Sequence, residues 1–370
     1  MSFTDEFELE RLNRRQFLKV AGGTTLGAAM LLAGCGGSSG GSSLNSNGSA
    51  AIEFLTVHKI NSIQQTSLNQ QVQLLAGQGA LPVLYNGQLL ALPFELNIEG
   101  FWYNKKIFAQ NGLQPPQTFD ELGQIAASLQ QKGIQPFASS GVQGWPITRL
   151  IGNYLFRKLG PDALAKVKNG QAKLTDPSYV EAAQAVANLG KQGYFGKGVA
   201  TLDYAPAQDL FLQGKAAMYY MGSWAVRDFE TSSNKIGADN IGFFQFPNVT
   251  GGVGNSNQTP MNCGQTTSVN KQKYNATVGQ WLAYVAKNYG AVSLQKQGVV
   301  SGFVIHNKPA NVPALTTLVL DQIAKVTQPV LWFEAVFPAK ASNLSQQDAA
   351  PLVTGALAPS GFMTAVQGGV

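Results

Sequence analysis

Two cysteines, two histidines and a charged fraction of only 12% leave this 370-residue chain short of the side chains on which most enzymes depend. Two cysteines cannot build a disulfide framework. His58 and His306 stand far apart, without a neighbouring nucleophile or the spacing of a metal site. No nucleophile elbow, phosphate-binding glycine loop, dinucleotide fingerprint or Cys/His metal spacing occurs, so no cofactor and no metal are called for. Asp120 and Glu121 are adjacent, but they sit where the first turn of a helix favours negative charge and do not form an acid/base pair. Lys/Arg runs never exceed two, and no nucleic-acid signature accompanies them.

Hydrophobic residues make up 44% of the chain, with 41 glycines, which is a globular composition with an uncharged, amide- and hydroxyl-rich surface. The length allows two domains. A net charge of +6, spread thinly, suits contact with an anionic surface such as a cell envelope. The first residues read as an address. Asn13-Arg14-Arg15-Gln16-Phe17-Leu18-Lys19 fits the twin-arginine export pattern through Arg14 and Arg15, and Val20–Ala33 is an apolar run too short and too rich in Gly and Ala to span a membrane. Leu32-Ala33-Gly34-Cys35 resembles the bacterial lipobox, which implies cleavage before Cys35 and lipid on its sulfur, a signal peptide over 1–34, and a membrane partner through that anchor. Asp5, Glu6, Glu8 and Glu10 balance Arg11, Arg14, Arg15 and Lys19, so the mature chain keeps its charge and one unlipidated thiol, Cys263. Residues 35–50, almost pure Gly, Ser and Asn after the cysteine, form a flexible tether.

The folded part begins with a strand-like Ile52–Val57 and a helix over Ser62–Ala76. Asn86-Gly87 between two apolar runs is a hairpin signal. Gly100-Phe101-Trp102-Tyr103 is an aromatic strand that stops at Asn104-Lys105-Lys106, and a short helix then ends at Asn111-Gly112. After Pro115-Pro116, Thr118 and Glu121 make a capping box for a helix over Phe119–Gln131, closed by Gly133. A strand follows at Ile134–Ala138, then a loop through Trp145-Pro146 and a helix over about Thr148–Leu159. Asp176-Pro177 opens another helix. Ala207–Leu212 reads as helix, Lys215–Met221 as strand, Gly222-Ser223 as a tight turn, and Ile241–Phe246 as strand. Helices are expected at Ala276–Asn288, Ala291–Gln297 and Val312–Val326, and the first of these places Trp281 in the core with Val278 and Val285. Strands alternating with helices define an α/β class with mostly parallel sheets.

Two of these stretches together resemble the bacterial extracellular solute-binding proteins of sugar ABC transporters: the run from Tyr103-Asn104-Lys105 through Pro116, Thr118 and Glu121, and the run Phe211…Gly214-Lys215-Ala216-Ala217-Met218…Gly222-Ser223-Trp224-Ala225. The likeness covers about Leu89–Phe337. It implies a two-lobed, periplasmic-binding-protein-like fold of type II, with chain crossings near residues 94–98, 258–263 and 308–314 acting as a hinge. It implies a carbohydrate ligand, permease subunits of an ABC transporter as partners, no enzymatic activity and a monomer on the extracytoplasmic face. Residues 51–95 with 263–310 would form the first lobe, and 96–260 with 311–370 the second. Only the short stretch Ala51–Asn86 precedes the hairpin turn, so the first lobe is expected to be shortened.

Sugars rest their C–H faces on indoles and pair their hydroxyls with amides and carboxylates. By the resemblance, Trp224 falls on the tryptophan that stacks on the sugar after the Gly-Ser turn, and Trp332 on the late cleft tryptophan. Trp145 lies in an aromatic loop of the same kind. Asn97 falls where the family's maltose-binding member has a cleft carboxylate, and Glu95 stands beside it. Trp102 and Tyr103 occupy opposite faces of one strand, and either could meet the ligand. Two other readings stand alongside: an envelope sensor or scaffold derived from such a receptor, and a ferric-ion binder using Tyr219-Tyr220, against which a buried aromatic strand is the plainer account.

Overall fold

The computed structural model describes residues 84–85, 88–89, 92–264, 267, 269–303, 305, 307 and 309–370. The export signal with Arg14, Arg15 and Cys35, the tether, the elements expected at 52–57 and 62–76, and His58 and His306 lie outside the described residues. So does the turn Asn86-Gly87, although strands β1 (Leu84–Tyr85) and β2 (Gln88–Leu89) on either side of it pair antiparallel, Tyr85 opposite Gln88, as a two-residue hairpin requires.

Strand β3 (Asn97–Asn104) is buried along nearly its whole length, which fits an interior strand and not an edge. It ends because the Asn104 side chain accepts from the backbone N–H groups of Lys106 and Ile107, capping helix α1 (Lys105–Gln110). Helix α2 (Phe119–Gln131) carries the expected capping box, with Thr118 and Glu121 each bonded to the other's backbone. Strand β4 (Gln135–Ala138) leads to helix α3 (Trp145–Leu159), followed by α4 (Ala163–Lys168) and α5 (Pro177–Lys191). Helix α6 (Tyr204–Leu212) precedes β5 (Ala216–Gly222), a 3-10 turn over Ser223–Ala225 and α7 (Val226–Phe229). Then come β6 (Ile241–Phe244), β7 (Gln258–Asn262), α8 (Ala276–Gln297) and α9 (Ala314–Ile323). Strand β8 (Gln328–Val330) and helices α10 (Phe333–Val336), α11 (Ala339–Thr354) and α12 (Pro359–Gln367) complete the order.

The larger sheet runs β4-β5-β3-β7-β8. One edge of β3 is shared: β7 pairs with Asn97 and Ile98, and β6 with Phe101 to Asn104. The sheet is mixed, not mostly parallel as the alternation of elements led us to expect. β3 is antiparallel to β5, β6 and β7, and only the β4–β5 and β7–β8 pairs are parallel. Element order constrains direction only where consecutive strands are neighbours, and β3 takes its partners from more than a hundred residues downstream.

Alternation along β3 and β5 feeds two cores. Phe101, Met218 and Tyr220 point to one, beneath α2, α3, α5, α11 and α12. Ile98, Trp102, Tyr219 and Met221 point to the other, with Phe211, Phe229 and Val319. Arg157 is buried in the first layer without a carboxylate. Its guanidinium donates to the carbonyls of Phe246 at 3.0 Å and Gln258 at 2.5 Å, and burial lowers its pKa to about 10.

Two further expectations change. Gly290 does not divide α8, which is continuous, since one interior glycine costs only about 1 kcal/mol. Trp281 is not in the core. It is 55% exposed and Tyr284 is 68% exposed, while the buried side of α8 carries Ala286, Ser293 and Leu294. Periodicity identified a face of the helix but not which face meets the sheet.

Candidate functional site

Helix α3 starts at Trp145, three residues earlier than expected, because Gly144 at φ 68° turns the chain and Pro146 is accepted in a first turn. That start matters, since it puts Arg149 one helical turn below Trp145. The guanidinium of Arg149 lies 5.2 Å from the centroid of the Trp145 ring and 4.1 Å from that of Trp332, the residue that caps α10. Its Nε donates to Glu99 on β3 at 3.0 and 3.2 Å, and its Nη1 to Glu334 on α10 at 2.5 Å. Thr148 Oγ1 donates to Glu334 at 3.0 Å. Tyr220 on β5 donates to Glu99 at 3.5 Å and accepts from Asn153 at 2.7 Å.

Glu99 is fully buried. Burial raises its pKa, against the pull of Arg149. For Arg149, burial pulls the other way, but Glu99 and Glu334 outweigh it and keep the guanidinium charged. An ion pair of this depth contributes little net stability, yet removing one member strands the other, so the geometry is strongly held. What it holds is the pair of indoles.

Trp224 approaches from another direction. Ser223 follows Gly222 in the tight turn after β5, and a Cβ on Gly222 would lie 1.9 Å from the Trp224 ring, so only glycine lets the indole fold back over the strand end. Trp224 then stands 6.0 Å from Trp145, ring centroid to centroid, and its Nε1 donates to the Tyr204 hydroxyl at 3.1 Å. Tyr204 lies 6.2 Å from Trp145. Trp145, Trp224 and Trp332 are each partly exposed. Three of the four tryptophans expected to meet a ligand are therefore linked, Trp145 and Trp224 directly and Trp332 through Arg149.

The fourth is not. Trp102 is fully buried between Phe229 and Phe243 and donates its indole N–H to Met221 O at 3.0 Å, so it is core. Tyr103 packs on the opposite core beside Phe108. Asn97 is only 1% exposed, and its amide hydrogens go to Glu95 at 3.1 Å and Asn262 at 3.3 Å while its oxygen accepts from Ser223 at 3.1 Å. It holds the Trp224 turn from behind and has no free amide hydrogen for a ligand. Glu95, 7% exposed, also faces Arg227 at 3.9 Å. Tyr219 and Tyr220 point into different cores, so they do not share a ligand. Among the described residues no cluster of His, Cys, Asp and Glu could hold a metal.

Sequence reading missed Arg149, Glu99, Glu334 and Tyr204. The one signal for them is the four-residue spacing of Trp145 and Arg149, which puts the two on one helix face only when the helix starts at Trp145.

The chain matches the family described as bacterial extracellular solute-binding protein over residues 59–292. An uncharacterized ABC transporter extracellular-binding protein of Pyrococcus horikoshii is 30% identical over 146 residues, 38% of this chain and 34% of that protein. The multiple sugar-binding protein of Streptococcus mutans is 26% identical over 177 residues, 46% of this chain and 41% of that one. The matches thus span about a third to two fifths of these curated relatives. Among solved structures, a chitin oligosaccharide binding protein superposes with a TM-score of 0.70 at 26% identity, covering 77% of this chain and 72% of that one. A protein studied for xylan utilization by Caldanaerobius polysaccharolyticus shares the fold at a TM-score of 0.72 and 23% identity, covering 84% and 80%.

Proposed function

The chain belongs to the bacterial extracellular solute-binding protein family, and on that premise we propose that it is the substrate-binding lipoprotein of a carbohydrate ABC transporter. The observation that carries this reading is the meeting of Trp145, Trp224 and Trp332, partly exposed and drawn from three distant stretches of chain, over a buried ion-pair network. Exposed indoles backed by rigid support suit the apolar faces of a sugar ring. The relatives are consistent with this class: one is named for multiple sugars and another for a chitin oligosaccharide.

In this reading, residues 96–260 with 311–370 form the lobe that carries the indoles, and 51–95 with 263–310 the shorter lobe that closes over the ligand. The crossing strands β3 and β7 run side by side where Asn97 pairs with Asn262, a site at which small backbone rotations swing one lobe against the other. Ligand favours the closed state because it touches both lobes only there. The protein does no covalent chemistry. It is exported by the twin-arginine route, anchored through lipid on Cys35 on the extracytoplasmic face, and delivers sugar as a monomer to the permease subunits.

Calorimetry of the folded protein with a panel of mono- and oligosaccharides tests the proposal. A saccharide should bind at micromolar Kd or tighter, and Trp224→Ala should weaken it at least tenfold, about 1.4 kcal/mol. If the folded protein ignores every saccharide offered, the proposal fails.

A further inference from the structure

Glu95 stands two residues ahead of β3, in the segment where the chain crosses between the proposed lobes. We propose that Glu95 is a positioning residue for ligand capture: it touches no ligand, acts through Asn97 and Ser223 on Trp224, and is itself governed by Arg227. The inference rests on the two-lobed carbohydrate reading above and adds to it a charge pair that links lobe movement to the indole.

Backbone and side chain of Glu95 serve different parts of the molecule. Its N–H donates to Gly264 O at 3.1 Å, and the next N–H, of Leu96, to Val300 O at 2.7 Å, so its main chain is fastened to residues 263–310. Its side chain reaches residues of the other lobe: Oε2 accepts from Asn97 Nδ2 at 3.1 Å, and Oε1 faces Nη1 of Arg227 on α7 at 3.9 Å. A rotation at this crossing therefore alters the Glu95–Arg227 distance. Gly264 makes room for the arrangement, since a Cβ there would lie 2.6 Å from Asn97 Nδ2 and 2.8 Å from Glu95 Oε2.

From the carboxylate, two contacts lead to the indole. Asn97 Oδ1 accepts from Ser223 Oγ at 3.1 Å, and Ser223 Oγ in turn accepts from Ile98 N at 3.3 Å, which pins the turn to β3. Trp224 is the next residue in that turn. Glu95, Asn97 and Ser223 are all buried, so water does not compete for these bonds.

Arg227 is the partner free to move. Its side chain is 47% exposed against 9% for that of Glu95, and their 3.9 Å separation is about 1 Å longer than a charge-assisted hydrogen bond. Arg227 also lines an open pocket of about 470 Å³ with Glu230, Gln295 and Lys296, which leaves its guanidinium room to advance or retreat. The pair thus stands short of contact, and a ligand that draws the lobes together at Trp224 draws it closed. A buried carboxylate gains from a cation that completes its contacts. A neutral saccharide brings no charge of its own, so an attraction that tightens on capture belongs to the protein, and dissolved salt weakens it.

The test is calorimetric titration of the full-length protein with neutral glucose, xylose and N-acetylglucosamine oligomers, between about 20 mM and about 500 mM sodium chloride. For whichever saccharide binds, Kd should rise at least threefold across that range. In Glu95→Gln, which keeps an oxygen for Asn97, and in the half-exposed Arg227→Gln, the rise should vanish and affinity at low salt should fall at least fivefold. The double variant should bind within about twofold of Arg227→Gln alone, as expected when both changes remove one interaction. Glu230→Gln, which removes the other carboxylate beside Arg227, should keep the salt dependence. A purely structural role for Glu95 would weaken binding equally at every salt concentration. A wild-type Kd that stays level or falls with salt overturns the inference and leaves the carbohydrate reading standing. So does a salt dependence that survives in both Glu95→Gln and Arg227→Gln. Failure of every saccharide removes the parent reading, and this one with it.

Discussion

At the scale of single residues, the site depends on a cation that no ligand needs to touch. Arg149 is flat, permanently charged and forked, so one side chain can bond Glu99 and Glu334 while its charge stands over two indole rings. Lysine keeps the charge but neither the fork nor the plane. Arg149→Lys is therefore expected to weaken saccharide binding at least tenfold, about 1.4 kcal/mol, and to change the near-ultraviolet circular dichroism of the tryptophans. Unchanged affinity together with an unchanged tryptophan spectrum would reduce Arg149 to a packing residue. Asn97 works in a similar way from behind Trp224. It bonds the Ser223 hydroxyl, and a carboxylate in its place would face Glu95 across hydrogen-bonding distance. This explains why a neutral amide stands there.

Elements position these side chains through their ends. Trp145 opens α3, Tyr204 opens α6, Trp332 caps α10, and Trp224 sits in the turn that ends β5. Element ends are where side chains escape the packed layers while their backbones stay anchored. Gly222 shows how narrow the tolerance is. Gly222→Ala puts a methyl group into the Trp224 ring, so either the indole swings out or the turn shifts, at a cost of about 1–3 kcal/mol. We expect a lower melting temperature together with loss of the Trp224–Tyr204 contact, visible as a red-shifted tryptophan emission. A variant with wild-type emission and stability would contradict the close packing of that turn.

At the scale of the whole molecule, packing decides what patterning leaves open for Trp102 and reverses what it assigns to Trp281. Trp102, on a central strand with its N–H bonded to Met221, is core, whereas Trp281 stands more than half exposed on α8 beside Tyr284. Truncating a buried tryptophan costs roughly 3–5 kcal/mol, while surface substitutions stay within about 0.5 kcal/mol. Urea unfolding of Trp102→Ala and Trp281→Ser should show that contrast. A cost above about 2 kcal/mol for Trp281→Ser would mean that its face of α8 is covered in the full-length chain.

The local signals were legible without coordinates because they act over a turn or two of chain. The Thr118–Glu121 capping box, the stop at Asn104, the Gly222-Ser223 turn and the two family stretches all belong to this kind, and the family assignment followed from them. Strand direction, the inward turn of Trp102 and Asn97, the exposure of Trp281 and the Arg149 network could be settled only by the folded chain. Each depends on which surface a residue meets after distant segments have packed, and a periodic pattern specifies that a face is apolar without specifying its partner. The resemblance carried by two short stretches of sequence thus pointed to the kind of protein this is, while long-range packing decided which of its aromatic residues are left available to a ligand.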